Sequence, residues 1–293
     1  MCEYIVDWKD RSCYGSLCEA FNDLPAGKDP VTVIVKEGIY RERPNLKRDN
    51  VTLIGEGNVR IVAGEYALRI HEDGRKVGTF RTATFMADCD GFTARNITFE
   101  NDAGQGSKVG QALALYGDGQ EQVYENCRFY GFQDTIFLGP LPPSEIQIGG
   151  FLGEKQFAER RPCSMVFKGC RIEGNIDYIF GGADARFEDC VLFTRKRETA
   201  GDCYVTAAST PEGQERGFLF DNCRFESDAP KGTVYLGRPW RNYARTEIRN
   251  SYLDAGINPI GWHDWNKPEA RNTVLYTETG NYGPGAGREG SAF

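Results

Sequence analysis

One short phrase recurs down the chain and restricts the folds open to it. A small or polar residue precedes a cysteine or its substitute, and an apolar residue follows two positions on. Full copies are "ENCRF" around Cys127, "KGCRI" around Cys170, "EDCVL" around Cys190 and "DNCRF" around Cys223. Weaker ones are "RNITF" at Ile97 and "RNSYL" at Ser251. From Ile97 the successive steps are 30, 43, 20, 33 and 28 residues. A period that varies this much suits a solenoid whose turns carry loops of unequal length. Short β-type runs accompany the phrase, at 31–35, 51–55, 95–101 and 111–117. No regular slots remain for crossover helices, which argues against a doubly wound sheet or an (αβ)8 barrel. A parallel β-helix fits best. An antiparallel sandwich is the alternative, but clear two-residue hairpin signals are missing. The best helix is "SLCEAFNDL", Ser16 to Leu24, with Ser16 as its cap and Glu19 three residues on.

The register of the repeat brings two acids together. Asp134 lies seven residues after Cys127, and Asp177 lies seven after Cys170, in one shared frame, Cys-Arg-apolar-x-Gly-x-x-Asp-x-Ile-Phe. Asp177 is also an oddity, a carboxylate inside the apolar run formed by Ile176, Tyr178, Ile179 and Phe180. Charges rarely enter such surroundings unpaired. If the phrases occupy equivalent positions on neighbouring turns, the acids stack at the parallel-strand spacing of about 4.8 Å. Two carboxylates that close do not ionise together, so one becomes a proton donor beside a nucleophile or base. The long interval between the copies contains "GPLPPSEIQIGGFLGEKQFAERRPCS", whose Pro-Pro and Gly-Gly pairs predict an irregular excursion.

Composition sets the outer bounds. The 293 residues are read as one domain, 1–293, 40% apolar and 26% charged. A net charge of -7 argues against general nucleic-acid binding through a basic surface, while leaving room for a local arginine cluster. No run of 18 apolar residues is present, so no membrane span is expected. The start, "MCEYIVDWKDRSC", lacks the pattern of a secretory signal. The chain as written is therefore expected in the cytoplasm, or outside the cell if an export signal has been lost. Several of the ten cysteines share one repeat position, as expected of small side chains stacked inside a coil. Neighbouring turns could still bring them within disulfide range. With no Cys-x-x-Cys pair and two histidines, a zinc site is not expected.

Other candidates surround the acids. Arg238 in "LGRPW" could hold an ionised aspartate through a bidentate contact, and Trp240 offers a flat face to a sugar. Gln111 and Gln133 lie on strand-like segments as neutral amide donors, able to stabilise an oxyanion without neutralising a nearby nucleophile. Together "GIYRER" (38–43), "QALAL" (111–115), "GFQDT" (131–135), "GNIDYIFGG" (174–182), "LGRPW" (236–240) and "INPIGWHDW" (257–265) resemble the pectinesterases of carbohydrate esterase family 8. The segments follow the family's order over nearly the whole chain. The "GPLPP" excursion, "YVTAASTPEGQ" (204–214) and "GWHDWNKPEAR" (261–271) resemble bacterial members more than plant ones. "QALAL" and "DYIFG" replace the commoner "QAVAL" and "DFIFG", without touching the chemistry.

The resemblance implies a single-stranded right-handed parallel β-helix with a short helical cap. Its implied activity is removal of methyl groups from galacturonate units of pectin or oligogalacturonates, as a monomer without metal or cofactor. It implies Asp177 as nucleophile and Asp134 as general acid and then base. Gln133 becomes an oxyanion stabiliser and Gln111 a substrate or oxyanion contact. Arg238 would hold Asp177 and meet substrate, with Trp240 against the sugar. The rivals are a glycoside hydrolase using paired carboxylates, a sugar-binding module and, more weakly, a calcium-dependent lyase.

Overall fold

The computed structural model describes residues 2–292. Two sheets wind around one core, sixteen strands in the first and seven in the second, all parallel except Gly290–Ser291, which pairs antiparallel with Leu275–Thr279. The first long strands, Val31–Arg41, Val51–Ala63 and Thr93–Asn101, each run along two faces of the solenoid. Further along, each such strand is replaced by two shorter ones. Thr93–Asn101 pairs with both Gln122–Glu125 and Arg128–Tyr130, and the same division recurs at Ser164–Lys168 with Arg171–Gly174. The third face is the seven-stranded sheet, which includes Leu115–Gly117, Ile136–Leu138, Ile179–Gly181, Cys203–Ala208 and Val234–Gly237. The parallel β-helix expected from the repeat is the observed architecture.

The repeated phrase marks one corner. The residue before each cysteine position has a left-handed backbone: φ is 57° at Asn96, 53° at Asn126, 59° at Gly169, 55° at Asp189, 53° at Asn222 and 52° at Asn250. Asn, Asp and Gly tolerate that conformation, which is why the corner recruits them. The next side chain then turns inward. Cys127, Cys170, Cys190 and Cys223 are buried, free, and donate to carbonyls of the preceding turn, as in Cys190 Sγ to Phe167 O at 3.4 Å. Beside them Tyr124, Phe167, Phe187 and Phe220 stack with centroids 4.7, 4.7 and 4.4 Å apart.

The ends and the excursion follow the sequence closely. The cap helix is Leu17–Asn22, and Ser16 Oγ accepts from Glu19 N at 3.2 Å. A second cap was not foreseen: Glu42 accepts from Leu17 N at 2.8 Å and Cys18 N at 2.9 Å. The excursion contains neither helix nor strand from Gly139 to Cys163. One expectation fails. Only Leu115–Gly117 of the run 111–117 is strand, because the helix Gly106–Val109 and Gly110, at φ 77°, delay its start.

Candidate active site

The two acids stand at the corner between the second and third faces. Their shared frame has a steric logic. A Cβ at Gly131 would meet Thr135 Oγ1 at 2.7 Å, and one at Gly174 would meet Phe132 O at 2.7 Å. The glycine of the frame therefore allows the chain to close a tight corner. Within that corner Asp134 has φ 61° and Asp177 φ 49°. Asp134 N donates to Ile176 O, and Ile136 N to Tyr178 O, both at 2.9 Å. Gln133 pairs with Ile176 and Ile136 with Ile179, so Asp134 and Asp177 occupy the same register position on adjacent turns. Asp177 is thus a corner residue rather than part of a strand, the strand beginning at Ile179.

Both carboxyls are buried, at 7% and 6% exposure, so their ionisation depends on neighbours. Arg238 donates from Nε to Asp177 Oδ1 at 2.8 Å and from Nη2 to Oδ2 at 2.7 Å. It follows the strand Val234–Gly237, and the turn between presents Ala207 to the cleft, too small to block its reach. Burial pushes Asp134 well above the ordinary carboxylate range, and the Asp177 charge raises it further. Burial raises Asp177 as well, but Arg238 and then Lys267 oppose it. Burial and the like charge thus favour a proton on Asp134, and the ion pair with Arg238 favours the negative charge on Asp177.

These residues open into a cleft of about 1000 Å³, which Gln111, Gln133, Arg238 and Trp240 also line. The structure thus brings all six sequence candidates to one site. Neither glutamine lies within a strand, contrary to expectation: Gln111 precedes Leu115–Gly117, and Gln133 makes only an isolated bridge. Neither amide has a side-chain hydrogen bond among the described residues, so both remain able to donate to a ligand. Trp240 packs with Phe80, Phe151 and Phe180 in an aromatic wall, half-buried, with centroids 6.3, 6.2 and 5.7 Å away. A second groove of about 500 Å³ lies over the sixteen-stranded sheet, but none of its acids is buried.

Several lining residues escaped the sequence reading. Arg75, Lys76, Arg241 and Lys267 join Arg238 around the cleft, against the two aspartates as its acids. A chain of net charge -7 thus carries a locally cationic cleft. Trp265 also lines it and lies over the Arg238 guanidinium at 3.7 Å, with Tyr204 at 3.8 Å. The tryptophan was visible within "GWHDW", yet nothing local tied it to Arg238. Among the described residues no group of three or more His, Cys, Asp or Glu could hold a metal ion.

Known proteins share this arrangement of chain. A pectinesterase of Petunia integrifolia is 33% identical over 285 residues, covering 93% of this chain and 68% of that one. A pectinesterase/pectinesterase inhibitor of Prunus persica is 35% identical over 266 residues, which is 87% of this chain but 45% of the longer protein. Among solved structures, a pectin methylesterase from Erwinia chrysanthemi has a TM-score of 0.79 at 26% identity, covering 98% of this chain and 90% of its own. Carrot pectin methylesterase gives 0.79 at 28%, covering 98% and 84%. A pectin methylesterase in complex with a hexasaccharide gives 0.79 at 26%, covering 98% and 90%. The pectinesterase profile matches residues 4–140 and 160–291, broken only inside the excursion. With that match running through the corner of the acids and the strand exit of Arg238, the chain belongs to the pectinesterase family.

Proposed function

We propose that the cleft hydrolyses methyl esters of galacturonate units in pectin or oligogalacturonates, releasing methanol. The observation that carries this reading is the asymmetric acid pair: two buried aspartates in register, only one held by a bidentate arginine. The similar enzyme solved with a hexasaccharide supports a sugar chain as ligand. The cations around the cleft suit a substrate that gains one carboxylate at each turnover.

Ionised Asp177 attacks the C6 carbonyl carbon, and the carbonyl electrons move onto oxygen, where the Gln111 and Gln133 amides donate. Asp134 gives its proton to the departing methoxide, and methanol leaves an acyl-enzyme anhydride on Asp177. Asp134, now ionised, takes a proton from water as that water attacks the acyl carbon. Cleavage of the anhydride releases the galacturonic acid unit, which gives its remaining proton to solvent, frees Asp177 as carboxylate and leaves Asp134 protonated again. Trp240 supplies the apolar wall for the sugar face.

Methylated oligogalacturonate is the test substrate. Methanol without new reducing ends supports the esterase; new reducing ends point to a glycosidase, and neither product to a binding module. Asp177→Asn should cost about four or more orders of magnitude in kcat, since the nucleophile itself is lost. Wild-type methanol release by that variant would remove Asp177 from the role. A chelator should leave turnover unchanged, and loss of activity that calcium restores would favour the lyase.

We place the chain among bacterial-type members on its "GPLPP" excursion, which lies where the family match is interrupted. A phylogeny grouping it with plant sequences would reject that placement. We also propose a reducing compartment, supported by nine free thiols among the described cysteines. Counting thiols in the native protein as isolated from its source tests this, and bridged cysteines would count against it.

A further inference from the structure

The loop that brings Trp265 to the site is backbone-strained. Trp265 has φ 57° and Asn266 φ 55°, two consecutive non-glycine residues in the left-handed region. A bulky side chain is disfavoured there and persists only where its surroundings dictate it. The preceding residues do so in turn. Trp265 N donates to His263 Nδ1 at 2.8 Å, and Asn266 N donates to Asp264 Oδ1 at 2.9 Å. Arg271 holds the second Asp264 oxygen, from Nε at 2.9 Å and Nη2 at 2.6 Å. Lys267 Nζ ties the loop to Arg238's own strand exit, donating to Pro239 O at 2.9 Å and Trp240 O at 3.2 Å.

The strained loop leads back to the acid pair. The Trp265 and Tyr204 ring centroids lie 3.7 and 3.8 Å from Arg238 Cζ. Two rings that near one planar carbon must cover its opposite faces. His263 meets Tyr204 edge-on, with centroids 5.7 Å apart and planes at 82°. It meets Tyr235 in the same way at 5.2 Å and 81°, and Tyr235 stacks on Tyr204 at 5.4 Å. One imidazole therefore contacts both sides of the clamp, through its acceptor nitrogen to Trp265 and through its ring to Tyr204.

We propose that His263 is a positioning residue whose Nδ1 fixes Trp265, which with Tyr204 forms the two jaws of an aromatic clamp that aims Arg238 at Asp177. Its effect on turnover rests on the esterase reading above; its effect on Asp177 does not. His263 is not among the residues lining the cleft, so it acts through the clamp rather than by touching substrate. Asp177 is faced by Arg238 and Lys267, which favour its ionised form, and by Asp134 on the next turn. Tyr204 and Tyr276 are the other titratable groups that sense its charge. Loosening Arg238 removes the main counter-charge, so Asp177 should titrate at a higher pH.

The test uses three variants and two readouts, the carbon-13 titration of the Asp177 carboxyl and the pH dependence of kcat/KM. His263→Phe keeps a ring but removes the acceptor. It should raise the Asp177 titration and move the acid limb upward, with kcat/KM falling about 10- to 100-fold, mainly through kcat. His263→Asn can accept from the residue two positions on, as in an Asx turn, and should restore most of the loss. Trp265→Gly relieves the left-handed strain while deleting a jaw. It should keep a melting temperature near wild type yet raise the Asp177 titration as His263→Phe does, which guards against a folding defect. An unmoved Asp177 titration in His263→Phe or Trp265→Gly would overturn the clamp. So would equal impairment of His263→Phe and His263→Asn. A wild-type protein that releases no methanol would reject the esterase, while the carboxyl titration would still decide the clamp.

Discussion

Asp134 and Asp177 share a frame, a corner conformation and nearly the same burial, yet only Asp177 is ion-paired, because Arg238 reaches only one of them. The cost of that arrangement falls on Asp134. Burial and the Asp177 charge raise its folded pKa above the ordinary 3.8, so the native state binds a proton that the unfolded state releases. Stability from this group is fully present below about pH 4 and is lost as pH rises through the folded value. Asp134→Asn removes the dependence while keeping the shape. It should melt higher than wild type at pH 7, converge with it near pH 4, and lose about 10²- to 10⁴-fold in kcat. Thermal melts at both pH values and a methanol assay check the two halves. A variant less stable at pH 7 would contradict the buried-proton account.

At the scale of one turn, the corner residue and the cysteine after it are a unit. The left-handed residue directs the following side chain inward, where a thiol fits and donates to the turn before. Asn222 also donates from Nδ2 to Asp189 Oδ1 at 2.6 Å, linking successive corners. Asn222→Ala should destabilise by about 1–2 kcal/mol, because alanine pays the steric penalty of positive φ. Asn222→Gly should cost less, since glycine adopts that conformation freely. Urea denaturation ranks the two, and equal losses would assign the effect to the lost hydrogen bond instead. This part of the fold was legible in sequence, as "ENC", "EDC" and "DNC". The split of long strands into pairs was not. It depends on where neighbouring turns shift register, as between Ile54 and Val59 against Thr93–Asn101.

Across the whole molecule the charge is unevenly placed. The chain is net acidic, yet five cationic side chains and two aspartates line the cleft. A de-esterified oligogalacturonate should therefore bind more weakly as ionic strength rises, and a fully methylated one should change little. Calorimetric titrations of both at low and high salt measure the difference. Equal slopes would show that the cations do not meet the sugar carboxylates. These cations come from separate loops, Arg75 and Lys76 beside one wall and Lys267 beside another. No local pattern marked them, because their common feature is a place on the surface of a wound coil.

The sequence alone determined the winding and the pairing of the acids, because an inward thiol after a left-handed corner and a glycine-closed aspartate corner are local, repeated constraints. Equal offsets from Cys127 and Cys170 were enough to put Asp134 beside Asp177. It could also nominate Arg238, Gln111, Gln133 and Trp240, whose residue types suit the chemistry. Only the tertiary structure decided which acid keeps its proton, since that follows from burial and from the reach of a guanidinium 61 residues away. It also decided what holds the guanidinium. Tyr204, His263 and Trp265 are far from Asp177 in sequence, and only the stacking of turns brings their rings to it.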